Sequence, residues 1–134
     1  MKQEYKVLLI ALLALVLLDT LGSISSRQFD FNYSFLSPFS FIIYGTTAFL
    51  TARQKDITTG VLFAAILGLF DSTIGWKLSM ILNANTGDID NQASTGLWIM
   101  TALIMTGFAA LVGFLGGGLT RIINKKSTNA QHKL

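Results

Sequence analysis

The chain has 134 residues and a net charge of +3; 51% of it is hydrophobic and 13% charged, against about a quarter charged in soluble domains. It has no cysteine, which excludes disulfides, thiol chemistry and thiolate metal sites, and its single histidine, His132, rules out a histidine-based triad or metal cluster. The basic residues flank long apolar runs, a placement that membrane orientation explains better than nucleic-acid binding.

This composition predicts an all-α integral membrane protein, a four-transmembrane-helix bundle built as one domain over residues 1–126. Its spans are expected at about 5–24, 37–53, 58–77 and 96–120, followed by a polar tail at 127–134. The first span holds the unbroken apolar run Val7 to Leu18 and then Asp19 and Thr20. A basic start, an apolar core and the small residues Ser23 and Ser25 would also suit a signal peptide, but the run is read here as a retained span.

Between Arg27 and Pro38, Phe29, Phe31, Tyr33 and Phe35 alternate with Asp30, Asn32 and Ser34. A period of two predicts an extended segment lying on the membrane surface with its rings down. Asn32-Tyr33-Ser34 matches a glycosylation sequon, a pattern too short to carry weight. Ser37 is the expected N-cap of the second span, with Pro38 in its first turn. Ser40, Tyr44, Thr47 and Thr51 then fall at helical spacing, a polar stripe for hydrogen bonding between helices or for lining a wet path.

The third span starts behind the capping candidates Asp56, Thr58 and Thr59. Its core, GVLFAAILGLFDSTIGW, carries Asp71 well inside an apolar stretch. Gly60, Ala64, Gly68, Asp71 and Gly75 share one helical face, so the carboxylate lies where another helix comes close. Ser72 comes directly after it. The polar, acidic stretch from Asn83 to Thr95 lacks calcium-ligand spacing and its closing glutamate, so a hydrated loop is expected. In the fourth span Thr106, Ala109, Gly113, Gly117 and Thr120 form another small-residue stripe with a GxxxG match. Gly116-Gly117-Gly118 is expected to loosen or end that helix.

Four spans put both termini on one side of the membrane. That side collects Lys2, Lys6, Arg53, Lys55, Arg121, Lys125, Lys126 and Lys133, against Arg27 and Lys77 on the other. Cytoplasmic termini in a plasma or inner membrane are therefore expected, with Trp76 and Trp98 at the outer interface. Leu18-Asp19-Thr20 before Gly22 parallels Phe70-Asp71-Ser72 before Gly75, which suggests two parallel two-helix repeats. At about 1.5 Å per residue, Asp19 and Asp71 both lie about 17 Å from the inner edge of the hydrocarbon, so the two can face one another.

An aspartate at the centre of a span costs about 2.5–3.5 kcal/mol on insertion scales, which marks it as a functional candidate. Asp71 and Asp19, with Tyr44, Thr47, Ser72 and Thr20 as oxygen neighbours, are the candidates for coupling in a proton, cation or small-solute transporter or channel. Gly60, Ala64, Gly68, Gly75, Ala109, Gly113 and Gly117 are the candidates for helix packing. The alternative is a non-catalytic accessory or assembly subunit. Gly68-Leu69-Phe70-Asp71 resembles the GxGD motif of intramembrane aspartyl proteases, but Phe70 replaces its second glycine and the Pro-Ala-Leu element is missing. No enzyme activity, cofactor or metal is expected. Nor does the chain carry the first-helix glutamate of small multidrug transporters. The expected partners are the lipid bilayer and a second copy or another membrane protein, with no nucleic acid.

Overall fold

A computed structural model describes residues 2–87 and 94–131, with side chains as far as Ile123. Helix α1 covers Gln3–Phe29, and a 3₁₀ turn, Tyr33–Leu36, leads into α2, Ser37–Gln54. Helix α3, Ile57–Phe70, passes through a π turn, Asp71–Gly75, into α4, Trp76–Ile81, and α5 is Thr95–Gln131. The described residues thus form four helical rods, each long and apolar enough to cross a membrane; α3, the π turn and α4 make up the third. The protein is a membrane-embedded, all-α four-helix bundle. His132, Lys133 and the middle of the acidic loop lie outside the described residues.

Consecutive rods run antiparallel. Near the chain termini, Tyr5 of α1 packs on Phe63 of α3 with ring centroids 5.8 Å apart, while Gly117 of α5 abuts Ala52 and Ile57. At the opposite end, the loop end, the segment after α4 bonds to the end of α1. Leucines and isoleucines such as Ile10, Leu17, Leu62, Leu103 and Leu111 point outward, as lipid-facing side chains do.

Small residues set how closely the rods approach, because lipid gives no hydrophobic drive between helices and close backbone packing replaces it. A Cβ on Gly60 would lie 2.6 Å from the Ala48 carbonyl oxygen, one on Gly113 would meet the Ala64 methyl, and one on Gly68 would meet Ala109. Helices α2, α3 and α5 therefore pack on one another almost backbone to backbone. Helix α1 leans chiefly on α2.

The glycine run in α5 does not end the helix. Gly116 packs against the Gly45 backbone and Gly117 against Ala52 and Ile57, so the missing side chains serve approach to α2 and α3 rather than chain reversal. With no proline beyond it, α5 continues to Gln131, through part of the expected tail.

The period-two segment is not extended either. Helix α1 runs on to Phe29, Asp30 takes a left-handed conformation (φ 52°) as its C-cap, and the Asn32 side chain accepts from the Ser34 N–H. These local bonds satisfy backbone groups that a lone strand would leave unpaired. Ser37 does not cap α2: it is already helical, and its hydroxyl donates to the Ser34 carbonyl. Asp56 does cap α3, accepting from the Thr59 N–H at 2.7 Å.

Candidate functional site

One face of α1 carries Ala11, Leu15, Asp19, Gly22, Ser23 and Ser26, all buried in the bundle. Asp19 is only 1% exposed, midway along that face, and α1 continues well beyond it, so it does not mark the end of the span. From the third rod, Asp71 reaches the same place. The two carboxylates meet over Gly75: a methyl there would touch Asp19 Oδ2 and would lie 2.8 Å from Asp71 Oδ1.

Each carboxylate is held from its far side by a tyrosine. Tyr33 Oη donates to Asp19 Oδ1 at 2.6 Å, and Tyr44 Oη donates to Asp71 Oδ2. Tyr44 is fully buried on α2, its ring edge-on to Phe41, and Ser40 lies beside it against Asp71. The inner oxygens, Asp19 Oδ2 and Asp71 Oδ1, both face Gly75. Among the described residues Asp19 Oδ2 has no hydrogen-bond partner although it is buried. Among the described residues, the polar groups beside the pair are the other carboxyl, the two tyrosines and Ser40, none of them basic.

The other expected oxygen neighbours do not join. Thr20 donates to the Val16 carbonyl at 2.6 Å, Thr47 to that of Ile43 at 2.7 Å, and Ser72 to that of Gly68 at 2.7 Å. A helical serine or threonine reaches the carbonyl four residues back more readily than a partner across the bundle. Position on the right face therefore did not make these hydroxyls donors to the pair.

Tyr33, Ser40 and Ser23 were not among the sequence candidates. Ser40 and Tyr44 share the buried stripe of α2, so Ser40 was legible from its spacing. Tyr33 was legible only as the one ring of its alternation with a hydroxyl. Ser23 is fully buried one turn beyond Asp19, next to Tyr33, and its Oγ lacks a partner by hydrogen-bond geometry among the described residues.

The local backbone explains how the pair is presented. At Asp71 the helix widens, and the Trp76 N–H reaches the Asp71 carbonyl five residues back. Such a π turn inserts one residue and rotates the remainder of the helix about its axis. Ser72, Gly75 and Ser79 continue the buried face of Gly60, Ala64 and Gly68 through the turn, and Asp71 lies beside that face, within reach of α1 and α2. Gly75, the one residue over which the oxygens meet, closes that turn.

A metal ion such as calcium takes six or more oxygens, whereas the pair brings one unpartnered oxygen, Asp19 Oδ2, beside Asp71 Oδ1; a proton needs no more than two. Two apolar grooves lie on the bundle surface, of about 780 Å³ between α2 and α5 and about 690 Å³ between α3 and α5; Asp19 and Asp71 line neither. Comparison of the chain with protein-family models, with curated proteins and with solved structures finds no match. The reading of the site rests on its geometry.

Proposed function

We propose that this is a small membrane protein whose Asp19–Asp71 pair takes up and releases a proton, and that this exchange drives movement of protons, cations or a small solute across the bilayer. The observation that carries the reading is the unpartnered Asp19 Oδ2, buried and turned toward Asp71 over Gly75. Two adjacent charges in a low-dielectric site repel strongly, and one proton held between the inner oxygens removes that cost. The tyrosines occupy the outer oxygens, Asp19 Oδ1 and Asp71 Oδ2, which leaves the inner pair to share the proton. By the distribution of basic residues, the termini face the cytoplasm and the pair lies in the outer half of a plasma or inner membrane.

Four packed helices leave little room for a continuous path, so movement of a solute is assigned to an interface with a second copy or another membrane protein. The absence of the pair from either groove favours a second reading, an accessory subunit in which the carboxylates only fix helix packing. Liposomes loaded with a pH-sensitive dye separate the two. Under an imposed potential, native protein is expected to carry protons, and Asp71→Asn and Asp19→Asn are expected to abolish the flux while remaining folded. Equal flux through native protein and both variants would refute coupling by the pair. No flux from any of them, with native folding, would favour the accessory subunit.

A further inference from the structure

Resting on that reading of the pair, we infer that the Tyr33–Leu36 turn is a removable plug over Asp19, latched by Asn85, and that the site communicates with the loop end when the plug lifts. The turn is seated from below by two contacts. Tyr33 Oη donates to Asp19, and Leu36 and the Tyr33 ring lie on Gly22, where a Cβ would come within 3.3 Å of Tyr33 Cε2. Gly22 thus shapes a seat for this turn on the face of α1.

From above, among the described residues, the turn is bonded by Asn85. The Asn85 carbonyl accepts from the Tyr33 N–H at 2.7 Å, and its own N–H donates to Ser26 Oγ at 3.1 Å. Its side chain donates to Asp30 Oδ1 at 2.8 Å and accepts from the Gly87 N–H at 3.1 Å. Asn85 therefore ties the segment after α4 to the end of α1 and to Tyr33 at the start of the turn. The 3₁₀ turn itself has no buried residue and is the terminal turn of the second rod, Tyr33–Gln54, where helices fray. Such an element opens at far lower cost than the rods around it. On the other side of the pair, Tyr44 and Ser40 sit on α2, packed along its length against α3 and α5. The molecule is thus loosely closed at one end and tightly closed at the other.

The absence of cysteine supplies the test. In Ser23→Cys a single, near-isosteric thiol sits buried beneath the plug, and its reaction rate with a water-soluble maleimide reports how often the plug lifts. Adding Asn85→Ala, which deletes the side-chain half of the latch, is expected to speed that reaction about tenfold, equivalent to about 1.4 kcal/mol. Tyr33→Phe, which removes the bond to Asp19, is expected to speed it as well. A single thiol at the fully buried Thr51, toward the termini end, is expected to react at an unchanged rate. Unchanged Ser23→Cys rates in both variants would overturn the plug, and so would equal acceleration at Thr51→Cys, which signals general loosening. The thiol readout does not depend on proton flux, so the plug and the proton reading fail separately.

Discussion

Asp19 Oδ2 and Asp71 Oδ1 converge on the place where a Cβ of Gly75 would lie, so that one methyl group there would touch both carboxylates. Gly75→Ala is therefore a sensitive probe of the pair. Its methyl meets side-chain oxygens held by tyrosines on two other elements, so the carboxylates must part. Overpacking of this kind costs about 1–3 kcal/mol. The variant should unfold earlier in detergent, as monitored by circular dichroism, and should lose proton flux in liposomes. A variant as stable and as active as the native protein would mean that the oxygens do not meet there.

The tyrosines and the back-bonded hydroxyls should differ sharply. Tyr44→Phe removes the donor to Asp71 and leaves a buried carboxylate oxygen short of a partner, at a cost of about 1–3 kcal/mol. Thr47→Val sits one turn away on the same buried stripe, but it deletes only a bond to its own helix. Polar contacts inside membrane bundles average about 0.6 kcal/mol, and Thr47→Val should fall at or below that level. Denaturation of the two variants in matched micelles checks the contrast, and similar losses would contradict the assignment of Tyr44 to the pair.

Glycines in this bundle should sort by what a side chain would meet. Gly60→Ala drives a methyl toward the Ala48 carbonyl oxygen, which is backbone and has little freedom to move. A loss of about 1–3 kcal/mol is expected as α2 and α3 separate. Gly107, on the exposed face of α5, has nothing within 4 Å of a Cβ. Gly107→Ala should therefore be neutral or stabilising by up to about 1 kcal/mol through helix propensity. Thermal unfolding of both variants in the same detergent provides the comparison.

Spacing made the rods and the meeting of Asp19 with Asp71 legible, because helical period and depth are set by counting residues. Counting does not say where the period changes. The helix widens into a π turn at Asp71–Gly75, and no residue type announces such an insertion. Nor does spacing tell a hydroxyl that crosses the bundle from one that folds back, which is why Tyr44 joined the site while Thr47 and Ser72 did not. Tyr33 was hidden for a different reason. Its alternating neighbours read as a flat amphipathic strip, whereas left-handed Asp30 and the Asn32 side chain turn the backbone and aim its hydroxyl at Asp19. The triple glycine misled in the same way, since its contacts with Gly45, Ala52 and Ile57 are long-range.

Asp56, between the second and third rods, offers a pH test outside the membrane. Its carboxylate accepts from the Thr59 N–H at 2.7 Å and from the Thr59 hydroxyl at 2.8 Å, and these bonds hold its pKa below the ordinary value of 3.8. A carboxylate whose folded pKa is depressed stabilises the folded state fully above its unfolded pKa, and that contribution fades as pH falls toward the folded pKa. Asp56→Ala should therefore melt below the native protein at neutral pH, and the gap should narrow once the pH drops below about 4, the usual aspartate value. Asp56→Asn, which keeps an oxygen for the Thr59 N–H, should recover part of the loss, and its margin over Asp56→Ala should not track the aspartate titration. A difference between native protein and Asp56→Ala that stays constant from neutral pH into the acid range would show that the ionised cap contributes nothing to holding the start of α3.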